Sequence, residues 1–356
     1  MTLTKPIHKS RLIIAMMLSA LLLVAGCGGN DSNNGATAEN GATAENGAAA
    51  KNGEAAADAG NAASDEAKLS VVTSFYPLYY LASEIGGEHV EVTNLIASGV
   101  EPHDWTPKSQ DLNKASKAEL FLYHGAGLET WVDDFMKGLS GDSSVVAKAM
   151  SDGITLIEGG DEGETDGHEH EEEGHEEHAD HEHAIDPHTW VSPKSAQVLA
   201  ENVKNSLVAA DAGHAADYEQ RYAALKSKLD VIDTDYTSKL GEATQKNMVV
   251  SHQAFGYIAR DYGLNQVAIL GLNADAEPRA QDILEIAKFV KANNVKVIFF
   301  EELVSDQMAV MLANEANVDT MVLNPLEGLT KEQEKAGVTY LNLMQSNLQN
   351  LVQALQ

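Results

Sequence analysis

Three histidines stand where a folded chain could hold a metal ion. His103 follows a predicted strand in the motif EPHDW (101–105), His188 precedes a predicted helix in DPHTW (186–190), and His252 ends the apolar run MVVSH (248–252). A neutral imidazole at the end of a strand or in a tight loop is a suitable metal ligand. Any one of them alone is best read as a structural histidine, but together, at ends of β-elements in both halves of the chain, they predict one shared site.

The first two motifs share the pattern Pro-His-X-Trp. Proline stiffens the backbone before the ligand, and the tryptophan can shelter the imidazole. Asp104 is a candidate partner that would fix the tautomer of His103, with a solvated acid as the equal alternative. His124, which ends the predicted strand ELFLYH (119–124), could lie near the same site.

Six further histidines lie together in a very acidic segment. Residues 161–183 contain twelve acids, six histidines and no Lys or Arg. Such a segment cannot bury enough apolar surface to fold, so residues 158–184 are predicted to form a disordered loop. It is either a solvated run of charge or a collector that binds zinc weakly through its histidines, which are His168, His170, His175, His178, His181 and His183.

The elements that must position the three histidines alternate between strand and helix patterns in two separate series. This alternation predicts an α/β fold with two mainly parallel sheets and flanking helices. Between the series, Ser192 and Pro193 form a good helix start, and the apolar periodicity that follows indicates one long helix or two consecutive ones. We therefore expect an N-terminal lobe (69–191), a linker helix (192–243) and a C-terminal lobe (244–356).

The beginning of the chain is predicted to be a targeting segment. A basic stretch and an apolar run of thirteen residues (12–24), too short to cross a membrane, indicate a signal peptide over residues 1–26. The run ends before Cys27, the only cysteine, in a pattern that resembles a bacterial lipobox and implies lipidation there. Residues 27–68 have a composition typical of a flexible tether.

The net charge of −30 argues against binding to nucleic acid, which is itself negatively charged. It favours the attraction of cations in general.

Four motifs in this order, EPHDW, DPHTW after an acidic histidine tract, SHQAFGY (251–257) and IFFEE (298–302), resemble the zinc-binding receptors of bacterial ABC metal importers. The resemblance implies two α/β lobes joined by a long rigid backbone helix, with the ion in the cleft between them. It implies that His103 and His188 are ligands from the first lobe and His252 from the second. Manganese receptors of this family carry a carboxylate at the third position, and histidine there favours Zn²⁺.

The sequence leaves several candidates for the fourth ligand. Our choice is Glu327, in a loop directly after the last predicted strand, where members of the family carry a ligand carboxylate. Glu301 and Glu302, which end another strand, are the alternatives, and water is a further one. Members of the family often have a non-ligand residue at the position of His124.

The expected function is a receptor without enzymatic activity, which captures Zn²⁺ and delivers it to the membrane permease of an ABC importer. We expect a monomer that is anchored by lipid to the outer face of the cytoplasmic membrane. The alternative from another class is a secreted zinc hydrolase, although the sequence contains no HExxH, HxHxDH or GxSxG motif. Adhesion to host matrix, as reported for relatives, is a weaker secondary possibility.

Overall fold

Two four-stranded sheets organise the chain, and all neighbouring strands within each sheet are parallel. The computed structural model describes residues 67–139, 143–158, 185–272, 274 and 279–356. The predicted signal peptide, Cys27, nearly all of the predicted tether and the six histidines of the acidic segment lie outside these residues. The prediction of an α/β fold with two parallel sheets and flanking helices is confirmed.

The first sheet has the strand order β2-β1-β3-β4. Its central strands β1 (LSVVT) and β3 (LFLY) are mainly apolar and have no exposed side chain, as expected for strands covered on both faces. The elements of this half are β1 (Leu69–Thr73), α1 (Tyr76–Gly86), β2 (Val90–Asn94), α2 (Ser109–Ala115), β3 (Leu120–Tyr123), α3 (Val132–Gly138), β4 (Val146–Ala149) and the short strands β5 (Ile157–Glu158) and β6 (Ile185–Asp186).

The second sheet has the order β10-β9-β7-β8. Its elements are β7 (Asn247–Val250), α6 (Gly256–Tyr262), β8 (Asn265–Ala268), α7 (Ala280–Ala292), β9 (Val297–Phe300), α8 (Gln307–Ala316), β10 (Asp319–Val322), α9 (Lys331–Lys335) and α10 (Tyr340–Ala354). In both sheets the chain reverses its direction of strand addition beside the central strand. Such switch points open a crevice at the carboxyl ends of the strands.

Two helices, α4 (Pro193–Ala210) and α5 (Ala215–Gly241), connect the sheets and pack against each other. Pro193 occupies the first turn of α4 as the sequence indicates, and a short 3-10 turn over residues 212–214 separates the two helices. The long helix of 27 residues is α5, which contacts α1 on one side and α10 on the other. No helix within the described part of the chain is long and apolar enough to cross a membrane.

One hydrophobic cluster runs through both halves of the molecule, and Trp190 lies at its centre with no exposed surface. The Trp190 ring packs edge-on against Phe75, with 4.8 Å between ring centroids, and its Nε1–H donates to Pro325 O at 2.7 Å. The hydroxyl of Tyr340, from α10, donates to Trp190 O. Because Trp190 follows His188 by two residues, this packing fixes the loop that carries His188.

Candidate metal centre

The side chains of His103, His188, His252 and Glu327 converge on one point, with one potential ligand atom from each lying within 4.8 Å of all the others. His188 Nε2 lies 3.0 Å from His103 Nε2 and 3.3 Å from His252 Nε2. Glu327 Oε1 lies 3.5 Å from both His103 Nε2 and His188 Nε2, and 4.0 Å from His252 Nε2. These four side chains form the one group among the described residues that could hold a metal ion.

These separations match a tetrahedral zinc site. In a regular tetrahedron the donor atoms lie about 1.6 bond lengths apart, so zinc bonds of about 2.0–2.1 Å place them roughly 3.3–3.4 Å from each other. The observed range of 3.0–4.0 Å brackets that value. Three imidazoles and one carboxylate form a donor set that suits Zn²⁺.

Three of the four residues lie in loops that follow strands of the two four-stranded sheets, and His188 follows a strand of the short antiparallel pair. His103 follows β2, and His188 lies between β6 and α4. His252 follows β7 by two residues and Glu327 follows β10 by five. The backbone N–H of Gly99 donates to Leu329 O at 2.7 Å, which joins the loop of His103 to the loop of Glu327. The site therefore lies in the crevice that parallel strands leave at a switch point.

The two tryptophans of the Pro-His-X-Trp motifs have different neighbours. The Trp190 ring lies beside His188, with 5.2 Å between ring centroids. The Trp105 ring instead packs edge-on against Trp131 at 5.1 Å, within a separate apolar cluster behind the first sheet. The expectation that tryptophan shelters the imidazole therefore fits His188 and does not fit His103.

Two carboxylates fix the orientation of two imidazoles. His188 Nδ1–H donates to Asp186 Oδ1 at 2.8 Å, and the backbone N–H of His188 donates to the same oxygen at 2.9 Å. His252 Nδ1–H donates to Glu301 Oε1 at 2.6 Å. An acceptor at Nδ1 places the proton there, so that Nε2 of both rings presents a lone pair to the centre.

The surroundings shift the pKa values of these two histidines in opposite directions. Burial, followed by the charges of His252 and His103, holds the pKa of His188 well below its usual range. Burial also acts to lower the pKa of His252, but the charge and hydrogen bond of Glu301, together with the charges of Glu327 and Asp186, raise it. His188 is therefore neutral at any physiological pH, whereas His252 holds a proton more readily.

Glu327 is the fourth convergent residue and is almost fully buried, with 1% of its surface exposed. Neither of its carboxylate oxygens has a donor in good hydrogen-bond geometry among the described residues, and the imidazole nitrogens of His103 and His188 lie 3.5 Å away. A buried carboxylate that is poorly satisfied is costly, and a bound cation would satisfy it. Burial, and then the charge of Glu327, raise the pKa of neighbouring Glu101.

The backbone before Glu327 adopts an unusual conformation. Leu326 has a φ of 65°, in the left-handed region that a branched side chain rarely enters. Its N–H donates to Asn324 Oδ1 at 2.7 Å, and Asn324 is held by two hydrogen bonds to Asn347 of α10. These contacts maintain the strain and direct Glu327 into the centre.

The other candidates from the sequence lie outside the convergent group. Glu301 orients His252, and Glu302 Oε2 accepts hydrogen bonds from Asn324 and Gln333. Asp104 is exposed, and the carboxylate that accepts from the His103 backbone N–H, at 3.3 Å, belongs to Glu101.

The contacts of His124 support a structural role for this residue. It is fully buried and its Nε2–H donates to Pro187 O at 2.8 Å, which supports the loop that carries His188. Burial lowers the pKa of His124 to about 3, so the ring is neutral.

Asp186 is the functional candidate that the sequence reasoning missed. The signal was present, because an acid two residues before a predicted ligand, in the order Asp-Pro-His, can fold back onto that ligand's backbone N–H and its ring. Its carboxylate has no exposed surface. Burial is the main cause that raises the pKa of Asp186 to about 6.

Comparison with known proteins identifies relatives of this architecture. The model of the family described as zinc-uptake complex component A, periplasmic (ZnuA), matches residues 71–354. The zinc-binding lipoprotein AdcA of Streptococcus pneumoniae is 41% identical over 293 residues, which are 82% of this chain and 57% of AdcA. The chain thus spans a little over half the length of that relative.

Two further relatives match over most of their own length. The high-affinity zinc uptake system protein ZnuA of Bacillus subtilis is 41% identical over 83% of this chain and 90% of that protein. The crystal structure of the Zn(II)-bound ZnuA-like domain of S. pneumoniae AdcA has a TM-score of 0.68 at 36% identity, covering 81% of this chain and 99% of that one. The chain therefore belongs to the ZnuA family, the periplasmic component A of zinc-uptake complexes.

Proposed function

We propose that this protein is an extracytoplasmic receptor that binds Zn²⁺ with high affinity and delivers it to the permease of an ABC importer. The observation that carries the proposal is the convergence of three imidazole Nε2 atoms and the buried Glu327 carboxylate at spacings of a tetrahedral zinc site. The relatives support it, since one is named a zinc-binding lipoprotein and another a high-affinity zinc uptake protein. In this proposal His103, His188, His252 and Glu327 are the ligands.

The donor set supports a carrier over a hydrolase. A catalytic zinc keeps one position for water or substrate beside three protein ligands, whereas a site with four protein ligands is closed. Here the carboxylate of Glu327 occupies the fourth corner. The ion is cargo in this proposal, and no residue is assigned a catalytic role.

The remaining parts of the proposal come from the sequence and from the names of relatives. Cleavage before Cys27 and lipidation of its thiol would keep a monomeric receptor at the outer face of the membrane, close to its permease. The name of the AdcA relative as a lipoprotein supports this placement. A role in adhesion remains the weaker alternative, since the metal centre alone accounts for the buried histidines.

Equilibrium binding tests the function directly. The metal-free protein should bind one Zn²⁺ per chain tightly, measured by competition with a chromophoric chelator, and Mn²⁺ should bind more weakly because imidazole suits zinc better. Absence of a tight zinc site would contradict the proposal. A bound ion with an exchangeable water and measurable turnover of ester or peptide substrates would favour the hydrolase instead.

The acidic histidine segment gives a second prediction. Removal of residues 161–183 should leave the tight site intact and eliminate only weak additional sites, because none of the four convergent residues lies in that segment. Zinc titration of the full chain and of the shortened chain, read by calorimetry, measures both classes of site. Loss of the tight site on deletion would mean that the segment itself contributes ligands.

A further inference from the structure

The hydroxyl of Tyr257 bridges the two short strands beside the metal centre. Tyr257 lies in the first turn of α6 and has no exposed surface. Its O–H donates to Asp186 O at 2.7 Å and accepts from the Ile157 backbone N–H at 3.1 Å. The tyrosine therefore holds β6, and with it Asp186, in a fixed position.

The neighbouring residue Gly256 limits where the Asp186 carboxylate can lie. A Cβ placed on Gly256 would lie 2.6 Å from Asp186 Oδ2, much closer than real contacts allow. The first turn of α6 thus meets Asp186 twice, at its carbonyl through Tyr257 and at its carboxylate through the bare backbone of Gly256. Asp186 in turn accepts both the backbone and the ring N–H of His188.

His188 is the ligand candidate whose position matters most. Its Nε2 lies within 3.5 Å of each of the other three convergent atoms. A tilt of this ring therefore changes its distances to all three of the other donor atoms at once. Metal sites require such positions to be held within about 0.5 Å by the residues behind the ligands.

We infer that Tyr257 and Gly256 are positioning residues for zinc binding, which act on His188 through Asp186. The helix that carries them begins four residues after His252, so one element sets the relative placement of two imidazoles. This inference rests on the proposed function, because it assumes that His188 binds zinc. The Gly-Tyr pair of the motif SHQAFGY thereby has a role in zinc affinity, although neither residue contacts the ion.

The test compares Tyr257→Phe with Tyr262→Phe. Both tyrosines lie on α6 and are largely buried, but the Tyr262 hydroxyl donates to Asp233 Oδ1 of α5, at 2.8 Å, and not to Asp186. Tyr257→Phe should weaken zinc binding about tenfold, at the lower end of the effect of losing an outer-shell partner. Tyr262→Phe should bind as the wild type does. Chelator competition measures the affinities.

A spectroscopic measurement separates positioning from a general loss of stability. Co²⁺ in place of zinc reports the coordination geometry through its visible absorption, which a tilt of His188 should alter in Tyr257→Phe and leave unchanged in Tyr262→Phe. Equal losses of affinity in the two variants, or an unaltered spectrum and affinity in Tyr257→Phe, would overturn the inference.

A second variant reaches Asp186 from its other side. Gly256→Ala should displace the Asp186 carboxylate and weaken zinc binding in the same way, and it replaces Tyr257→Phe if that variant does not fold. If each folded variant of Tyr257→Phe and Gly256→Ala binds zinc with wild-type affinity, the inference is wrong. The proposed function would still stand in that case. A wild-type protein without a tight zinc site would instead overturn the proposed function.

Discussion

Replacement of His252 by alanine is expected to abolish the tight zinc site. The substitution removes one of three Nε2 donors and leaves a buried carboxylate, Glu301, without the imidazole that it contacts at 2.6 Å. Because loss of an outer-shell partner alone costs about 10–100-fold in affinity, loss of a ligand should exceed that range. Chelator competition at pH 7.5, with circular dichroism to verify folding, provides the measurement.

A matched control for this experiment is His89→Ala. His89 is also paired with a carboxylate, since its Nε2 lies 3.0 Å from Asp217 Oδ2, but it is not part of the convergent group. This variant should retain the wild-type affinity and a stoichiometry of one. Retention of the tight site in folded His252→Ala, and equally in His103→Ala, would refute the ligand assignment.

Zinc affinity is expected to fall as the pH drops from 7 to 5. An imidazole must be neutral to bind, so a histidine that is protonated in the metal-free protein must first lose its proton. The pKa of His188 is lowered by burial, so this ring stays neutral and contributes little to the pH dependence. Burial acts to lower the pKa of His252, but Glu301, together with the charges of Glu327 and Asp186, raises it, so this ring is the proton competitor.

The sign and size of the effect follow from proton linkage. Below the pKa of His252, each further pH unit should weaken apparent zinc binding about tenfold for one displaced proton. Glu301→Gln keeps an acceptor for His252 Nδ1–H but removes the charge that raises the pKa, and it should move the onset of weakening to lower pH. Dissociation constants at pH 7, 6 and 5 measure both proteins, and a flat profile for the wild type would contradict a site with histidine ligands.

The parts of the site that could be predicted from the sequence depend on local position. His252 directly follows a strand, and His103 and His188 stand in Pro-containing loops beside β-elements. Because parallel strands end at a common edge, residues in such positions lie close together even when they are far apart in the chain. This rule accounts for His103 and His252, whereas His188 follows β6 of the separate antiparallel pair, so its position depends on tertiary packing.

The choice between Glu301 and Glu327 depended on geometry that the sequence does not carry. Both acids follow strands of the second sheet, and both are buried. Glu301 is directed at the Nδ1 side of His252, whereas the left-handed backbone at Leu326 directs Glu327 toward the Nε2 atoms. A positive φ at a leucine contradicts local preference, and only the tertiary contacts of Asn324 maintain it.

The pairing of Tyr257 with Asp186 could not be predicted for a similar reason. The two residues are 71 positions apart and meet through one hydroxyl. Periodicity identifies which face of a helix is buried, but it does not identify the atom that a buried hydroxyl contacts.

The edge of the first sheet is the part of the fold that the residue pattern predicts least well. The apolar run ITLI (154–157) has the more strand-like sequence, but the fourth strand is Val146–Ala149, and residues 157–158 form a two-residue antiparallel pair with 185–186. Val146 is 47% exposed, and the strand alternates exposed and half-buried side chains. The sequence of an edge strand is less apolar than that of a central strand. It is therefore harder to recognise as a strand than a nearby apolar tetrapeptide that forms no part of the sheet.

The uneven exposure of the four convergent residues has a kinetic consequence. His188, His252 and Glu327 have side chains with no exposed surface, whereas 13% of the His103 side chain reaches solvent. Among the four convergent side chains of the described structure, His103 is therefore the one that water or a competing ligand can reach. We expect this bond to form last during capture and to break first during release, so the dissociation rate should respond to changes at His103 more strongly than the association rate does.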